Sequence, residues 1–245
     1  MTTRRILRLS GADTEPFLQG LVTNDIRKLD TGLVYAALLT PQGKYIADFF
    51  LKREGEGVLL DVAEPQADDL VRRLSMYRLR SAVTIEESGL HLHRGTGAAP
   101  DDALPDPRHP ALGWRAYRAA AESDDGSDWD AIRVAHCVPA PGVELTPDTF
   151  ILEAGFEALN GVDFRKGCYV GQEVTARMKH KTELKKGLRR VRVEGEAPPG
   201  SAIESADGKA AGTLFTRSGG QALAYLRFDR AGDGMTAGAA RLTLD

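Results

Sequence analysis

The sequence predicts an α+β fold, an antiparallel sheet with helices on one side, followed by a small all-β module. Three observations predict it. Two apolar, β-rich runs meet at a proline- and glycine-containing turn, and amphipathic stretches at helical spacing separate the strands. After Lys186 the texture changes to short alternating strands punctuated by glycine, the mark of a small barrel or sandwich.

Each element follows in order. Ile6, Leu7 and Leu9, set among Arg4, Arg5 and Arg8, read as a first strand. Ser10 and Asp13 are candidate caps for a first helix, where Pro16 suits the opening turn and Phe17, Leu18, Leu21 and Val22 recur at helical spacing. Leu33 to Thr40 and Tyr45 to Lys52 form a hairpin across Pro41-Gln42-Gly43-Lys44, where proline presets the turn and glycine supplies a positive φ. Val58 to Val62 is a strand, and Gln66 to Arg78 a helix with Leu70, Val71, Leu74 and Tyr77 on one face. Ala82 to Glu86 is a strand again. Glycine, proline and acidic residues make Gly95 to Pro110 a loop, and Gly113 to Ala120 reads as a returning strand. Asp128 to Cys137 and Gln172 to His180 are helices, the first capped near Asp128. Leu188 to Val193, Ala202 to Glu204, Gly212 to Thr216, Ala222 to Arg227 and Ala240 to Leu244 are the short strands of the last module. A domain boundary is placed near residue 185, giving regions 1–185 and 186–245, the first with room for two intertwined modules.

Composition bounds the function. A chain of 245 residues with 42% hydrophobic side chains can bury a sizeable core. With 32 basic against 35 acidic side chains, no global field recruits nucleic acid or membrane, and no apolar run approaches the length of a membrane span. Two cysteines cannot make a disulfide framework, so a cytoplasmic protein with reduced thiols is expected.

The two cysteines differ. Cys168 lies in Lys166-Gly167-Cys168-Tyr169-Val170-Gly171-Gln172-Glu173, between glycines that permit tight or left-handed backbone and ahead of a helix N-terminus, with Arg165 and Lys166 beside it. That setting favours a thiolate. Cys137, next to His136 on an apolar helix, reads as structural. Neither has a C-x-x-C partner, so a permanent four-ligand metal or cluster site within the chain is not expected.

The octapeptide resembles the K-G-C-[YF]-x-G-Q-E signature of the YgfZ family, folate-binding iron–sulfur maintenance proteins related to the T-protein (aminomethyltransferase) of the glycine cleavage system. Further matches follow in family order: Phe17-Leu18-Gln19-Gly20 with Thr23-Asn24-Asp25, then Leu39-Thr40-Pro41-Gln42-Gly43-Lys44, then Leu152-Glu153-Ala154-Gly155. With the run around Met76-Tyr77-Arg78-Leu79-Arg80, the resemblance covers residues from about 8 to 185. It implies an antiparallel-sheet folate-binding region of the T-protein type followed by a C-terminal β-barrel. The chain is shorter than those relatives, and the shortening falls between about residues 90 and 130.

The resemblance also implies a ligand and partners: tetrahydrofolate or a derivative, and iron–sulfur client or assembly proteins, without stable nucleic acid binding. Glu153 matches the glutamate that holds the pterin, whose N3–H and 2-amino pair suits a carboxylate. Asn24, Gln172, Glu173, Lys166 and Arg177 complete the implied folate set, with Gly167, Tyr169 and Gly171 as motif backbone. Asn24 and Asp25 equally fit turn and cap roles. Lysines and arginines between Arg177 and Lys186 suit the polyanionic glutamate tail of folate, or a solvated face. Asp48, in Ala47-Asp48-Phe49, falls in the family's catalytic acid region, where two adjacent aspartates are usual and this chain keeps one. Two functions follow: an accessory protein for iron–sulfur cluster assembly or repair acting through Cys168, or a folate-dependent one-carbon transferase of the aminomethyltransferase type using Asp48.

Overall fold

The computed structural model describes residues 3–181 and 183–245, which divide into two compact units. The first comprises residues 1–127 and 157–174, the second 128–156 and 175–245. The last strands share their unit with the segment 128–156.

In the first unit, β1 (Arg4–Ser10), β2 (Val34–Leu39), β3 (Tyr45–Glu54), β4 (Gly57–Ala63) and β5 (Thr84–Glu87) form an antiparallel sheet in the order β2-β3-β4-β1-β5. The alternation of β3 explains its two faces. Ala47, Phe49 and Leu51 join Leu7, Leu9, Val34, Ala36, Leu60 and Val62 on the face covered by α1 (Thr14–Gln19), a tight helical turn (Ile26–Asp30) and α2 (Glu64–Arg78). Helices thus lie on one side, as the pattern predicts.

The other face carries Tyr35, Phe50 and Asp61, and meets a second sheet. That sheet has the order β7-β8-β6-β9, from β6 (His91–Gly95), β7 (Leu104–Pro105), β8 (Trp114–Arg118) and β9 (Ser123–Asp124), with β6 and β9 parallel. Asp61 accepts from Arg4 Nε at 2.6 Å, Arg115 Nη2 at 2.5 Å and Tyr117 Oη at 2.9 Å, while the Arg115 guanidinium lies 3.9 Å from the Phe50 ring centre. A buried ion network therefore lies among the aromatic and aliphatic side chains between the sheets.

Several sequence expectations need correction here. The loop 95–110 contains β7 and leads to a short helical turn (Pro110–Leu112). The sequence gives no signal for strand β6, because His91-Leu92-His93-Arg94-Gly95 holds one apolar residue and its polar His93 is satisfied from outside the strand, by Ala120 O and Ser123 Oγ. The first helix ends at Gln19, so Leu21 and Val22 reach the core from the following turn, and Asp13 bonds Ala82 N rather than capping the helix. On α2 the core stripe stops at Leu74, and Tyr77 is exposed.

In the second unit, six strands close a barrel in the order β10-β13-β12-β11-β14-β15. They are β10 (Lys186–Glu194), β11 (Ala202–Glu204), β12 (Ala210–Ser218), β13 (Gln221–Arg227), β14 (Met235–Ala237) and β15 (Ala240–Leu244). Ala211, Ala222, Ala224, Ala237 and Ala240 line the interior beside Val191, Leu214 and Leu226; such small side chains let a ring of six strands close. Strand β14, three residues between glycines, is too short to show a period. Before the barrel comes α3 (Trp129–Ala135), capped by Asp128 as expected. Glu144, buried, ties this segment to the barrel by accepting from Ala140 N at 2.8 Å, Arg133 Nη1 at 3.1 Å and the Thr216 hydroxyl of β12. The last helix, α4 (Gln172–Lys181), spans the division between units, and no helix among the described residues is long and apolar enough to cross a membrane.

Candidate functional site

The loop bearing Cys168 is assembled from three separated segments of the first unit. Thr23-Asn24-Asp25 forms the socket. Thr23 Oγ1 donates to Gly161 O at 2.7 Å and accepts from Ala37 N at 2.9 Å. Asn24 Nδ2 donates to Asn160 O at 2.7 Å and Tyr35 O at 2.9 Å, while its Oδ1 accepts from Asp25 N and from Lys28 Nζ at 2.8 Å. Every polar atom of the Asn24 side chain is therefore engaged inside the protein. Asp25 caps the following helical turn through Arg27 N, and the Arg27 guanidinium beside it holds its carboxyl down to about 2.

Lys166 is the bolt. Its buried Nζ donates to Val22 O at 2.5 Å and Asn24 O at 2.9 Å, and stands 5.1 Å from the Tyr169 ring centre. Burial pushes its ammonium down to about 8, although Asp25 and Asp163 oppose the shift, so the cation persists at neutral pH. Beyond it, Tyr169 is buried and Val170 packs against the sheet core.

The loop then crosses the β2–β3 hairpin turn. Gly171 has φ +84°, and a Cβ there would lie 2.7 Å from Thr40 O and 2.9 Å from Leu39 Cβ. Gly43 of the turn, at φ +76°, would likewise meet Val174 at 2.9 Å. Only glycine permits this approach of two backbones. Gly167 does not share that requirement: its φ is not positive, and a Cβ would point into open space. The expectation of two conformationally demanding glycines is thus met at one.

Cys168 itself is exposed at the crest of this loop, whereas Cys137 is half-buried against Val134, Leu188 and Leu223. Gln172 Nε2 reaches back to Gly167 O at 3.5 Å; Glu173 and Arg177 lie on exposed positions of α4. Burial pushes the Cys137 thiol up to about 11, despite Arg189 and Arg190. Iodoacetamide near neutral pH is therefore expected to label Cys168 first and to reach Cys137 only on unfolding, which peptide mass spectrometry would read. Equal labelling rates in the native protein would contradict this account of the two thiols.

Glu153 belongs to the second unit. It sits in a series of turns over 150–156, held by Leu188 N, which donates to its carbonyl at 2.7 Å. Its side chain is 7% exposed, and Oε2 accepts the Tyr225 hydroxyl while Lys186 Nζ lies 4.0 Å away. Oε1 has no hydrogen-bond partner among the described residues, which leaves one acceptor for an incoming N–H. Tyr225 was missed by sequence reasoning. Its phenol is pushed up by burial and by the Glu153 carboxylate, so it stays a donor at any physiological pH. The signal lay in Gln221–Arg227, where Ala222, Ala224 and Leu226 fill the barrel and alternation turns Tyr225 outward.

Asp48 is fully enclosed. At 1% exposure its carboxylate takes the Tyr35 hydroxyl at 3.0 Å and the Tyr45 hydroxyl at 2.5 Å, and Tyr45 bonds Gln66 in turn.

Comparison with known proteins agrees with this architecture. Residues 185–245 match the CAF17 C-terminal β-barrel domain. The aminomethyltransferase T of the glycine cleavage system from Bartonella henselae has the same fold, with a TM-score of 0.76 over 98% of this chain and 81% of that one, at 14% sequence identity. Among curated relatives, the iron–sulfur cluster assembly factor IBA57 homolog, mitochondrial, of Mycosarcoma maydis is 32% identical over 76% of this chain, which spans 54% of that protein. The mitochondrial IBA57 proteins of Mus musculus and Homo sapiens are 31% and 30% identical, each over 91% of this chain and 75% of theirs. At that identity and coverage, the chain belongs to the iron–sulfur cluster assembly factor IBA57 family.

Proposed function

We propose that this protein is a tetrahydrofolate-binding accessory factor for the assembly or repair of iron–sulfur clusters in client enzymes, with Cys168 as its functional thiol. The observation that carries the reading is an exposed cysteine on a loop that two distant segments hold in place, in a chain whose relatives are named iron–sulfur cluster assembly factors. The Cys168 thiol loses its proton to solvent and binds iron of a cluster, the substrate, as a thiolate, while the remaining ligands come from the partner protein. The protein works in a compartment that keeps thiols reduced, cytoplasmic in the sequence reading and mitochondrial for the named relatives.

The residues present fit a folate in one respect. Glu153 offers a buried carboxylate with one free oxygen, its other oxygen fixed by Tyr225, and this suits the N–H donors of a pterin. The group, when bound, would supply one-carbon chemistry or hold one conformation. Asn24 and Lys166, whose polar atoms are spent on the chain itself, hold the Cys168 loop within the first unit. Asp48, closed off by two phenols, gives the transferase alternative no accessible acid.

Two measurements test the reading. Mixing the protein with a cluster-loaded assembly protein is expected to change the visible circular dichroism of the cluster, and Cys168→Ser to leave it unchanged. No change with the native thiol would refute a direct role in cluster handling. For the folate, Glu153→Gln must offer its carbonyl to Tyr225 and so turn its amide N–H₂ toward the ligand's donors, weakening binding by about 1.5–3 kcal/mol. Calorimetry with tetrahydrofolate checks this, and an unchanged Kd on a folded variant would remove Glu153 from the site.

A further inference from the structure

The C-terminal end of α2 presents side chains that the core of its unit does not use. Among the described residues five large apolar side chains are exposed, and three fall within four positions: Met76 at 60%, Tyr77 at 38% and Leu79 at 89%. Arg72, Arg73, Arg78 and Arg80 surround them. Asp69, one turn earlier, pairs with Arg72 and with Arg73 at 2.7 Å, so the tip keeps a surplus of positive charge.

The tip is built rather than loose. Leu79 has φ +35°, a conformation that an L-leucine adopts only where its surroundings impose it. The surroundings do so at three points. Ser81 N donates to Arg78 O at 2.7 Å, Arg78 Nη1 to Val83 O at 3.2 Å, and Ala82 N to Asp13 Oδ2 at 2.7 Å. At Gly11, moreover, a Cβ would stand 2.0 Å from Ala82 O, so β1 and the turn are clasped together through a glycine. The fold thus spends backbone strain to hold a leucine out in water.

We propose that this tip docks on an anionic lipid surface, with Leu79 and Met76 entering the headgroup–acyl boundary, Tyr77 at the interface and the arginines on lipid phosphates. Two observations select lipid over a protein partner. The three side chains present on the order of 300 Å², well under the roughly 800 Å² per partner of a stable protein interface. Exposed apolar side chains flanked in sequence by Arg78 and Arg80 also match an anionic bilayer, where depth of insertion and surface charge supply the affinity. The chain as a whole carries a net charge of −3, so the attraction must come from this tip rather than from the molecule as a whole.

Vesicle flotation tests it. The full chain is expected to float with vesicles of phosphatidylcholine mixed with phosphatidylglycerol at low salt, to float poorly with phosphatidylcholine alone, and to release as salt rises. Leu79→Asn keeps a residue that tolerates positive φ but removes the apolar point, and should weaken binding at least about tenfold. Arg80→Gln should weaken it about fivefold. Both positions are exposed, so both variants should retain native circular dichroism. No flotation at low salt, or equal flotation of Leu79→Asn, would overturn the proposal and leave a protein surface as what this tip meets.

Discussion

Replacing Cys168 by serine is expected to abolish support of iron–sulfur enzymes in cells that depend on this protein, while the fold survives. The side chain is exposed and its loop is held by others: Lys166 on the carbonyls of Val22 and Asn24, Tyr169 buried, Gly171 against the hairpin turn. Exchanging one sulfur for one oxygen therefore costs almost no packing. It does cost the chemistry, because a serine hydroxyl does not ionise near neutral pH and is a far poorer ligand for iron than a thiolate. Activities of iron–sulfur enzymes in a complemented strain, read beside the melting temperature of the purified variant, check the result. Full complementation would sink the thiol as the functional group.

The largest expected loss of stability is at Asp61. Asp61→Asn removes the charge that faces Arg4 at 2.6 Å and Arg115 at 2.5 Å, leaving Arg115 only the more distant Asp106, at 3.4 Å, beside the Phe50 face. Breaking a buried ion pair from one side costs about 3–5 kcal/mol. Urea unfolding should show the midpoint falling with its slope unchanged. The same network sets an acid limit. Burial alone would raise the Asp61 carboxyl, but Arg4 and Arg115 outweigh it and hold it below the usual carboxylate range, as Arg108 does for Asp106. A carboxyl depressed in the folded state contributes stability above its unfolded pKa and loses it as pH falls through the folded one. Stability should thus hold through neutral pH and decline below about pH 4, and Asp61→Asn should flatten that decline.

The sequence was most legible where one side of a strand or helix meets hydrocarbon. The hairpin at Pro41–Lys44, the helix over 66–78 and five of the six barrel strands follow from period and turn residues. It was least legible where polar groups do the packing. The run His91-Leu92-His93-Arg94-Gly95 looks like surface, yet folds into a strand whose His93 is satisfied by Ser123, distant in sequence. The site divides the same way. A turn, two glycines and a cysteine were visible as a motif, and Cys168 as an exposed thiol follows from its cationic, glycine-rich flanks. That Asn24 and Lys166 spend their polar atoms on backbone carbonyls was not visible, because a residue's type shows what it can bind and not which partner reaches it first. Tyr225 was hidden for a related reason: its meaning depends on Glu153, brought beside it only by the barrel.

The crossing of Gly171 over Gly43 has a consequence for anyone who would transplant this chemistry. The eight-residue stretch around Cys168 is not a self-sufficient cassette, since its shape is dictated by a turn some hundred and twenty positions earlier in the chain. Inserted alone into another scaffold, it would carry the cysteine without the surface that aims it. A working graft must bring the hairpin tip and the Thr23–Asp25 socket as well, and a natural variant that lengthens the turn should need a matching change near Val174 to keep the thiol where it stands.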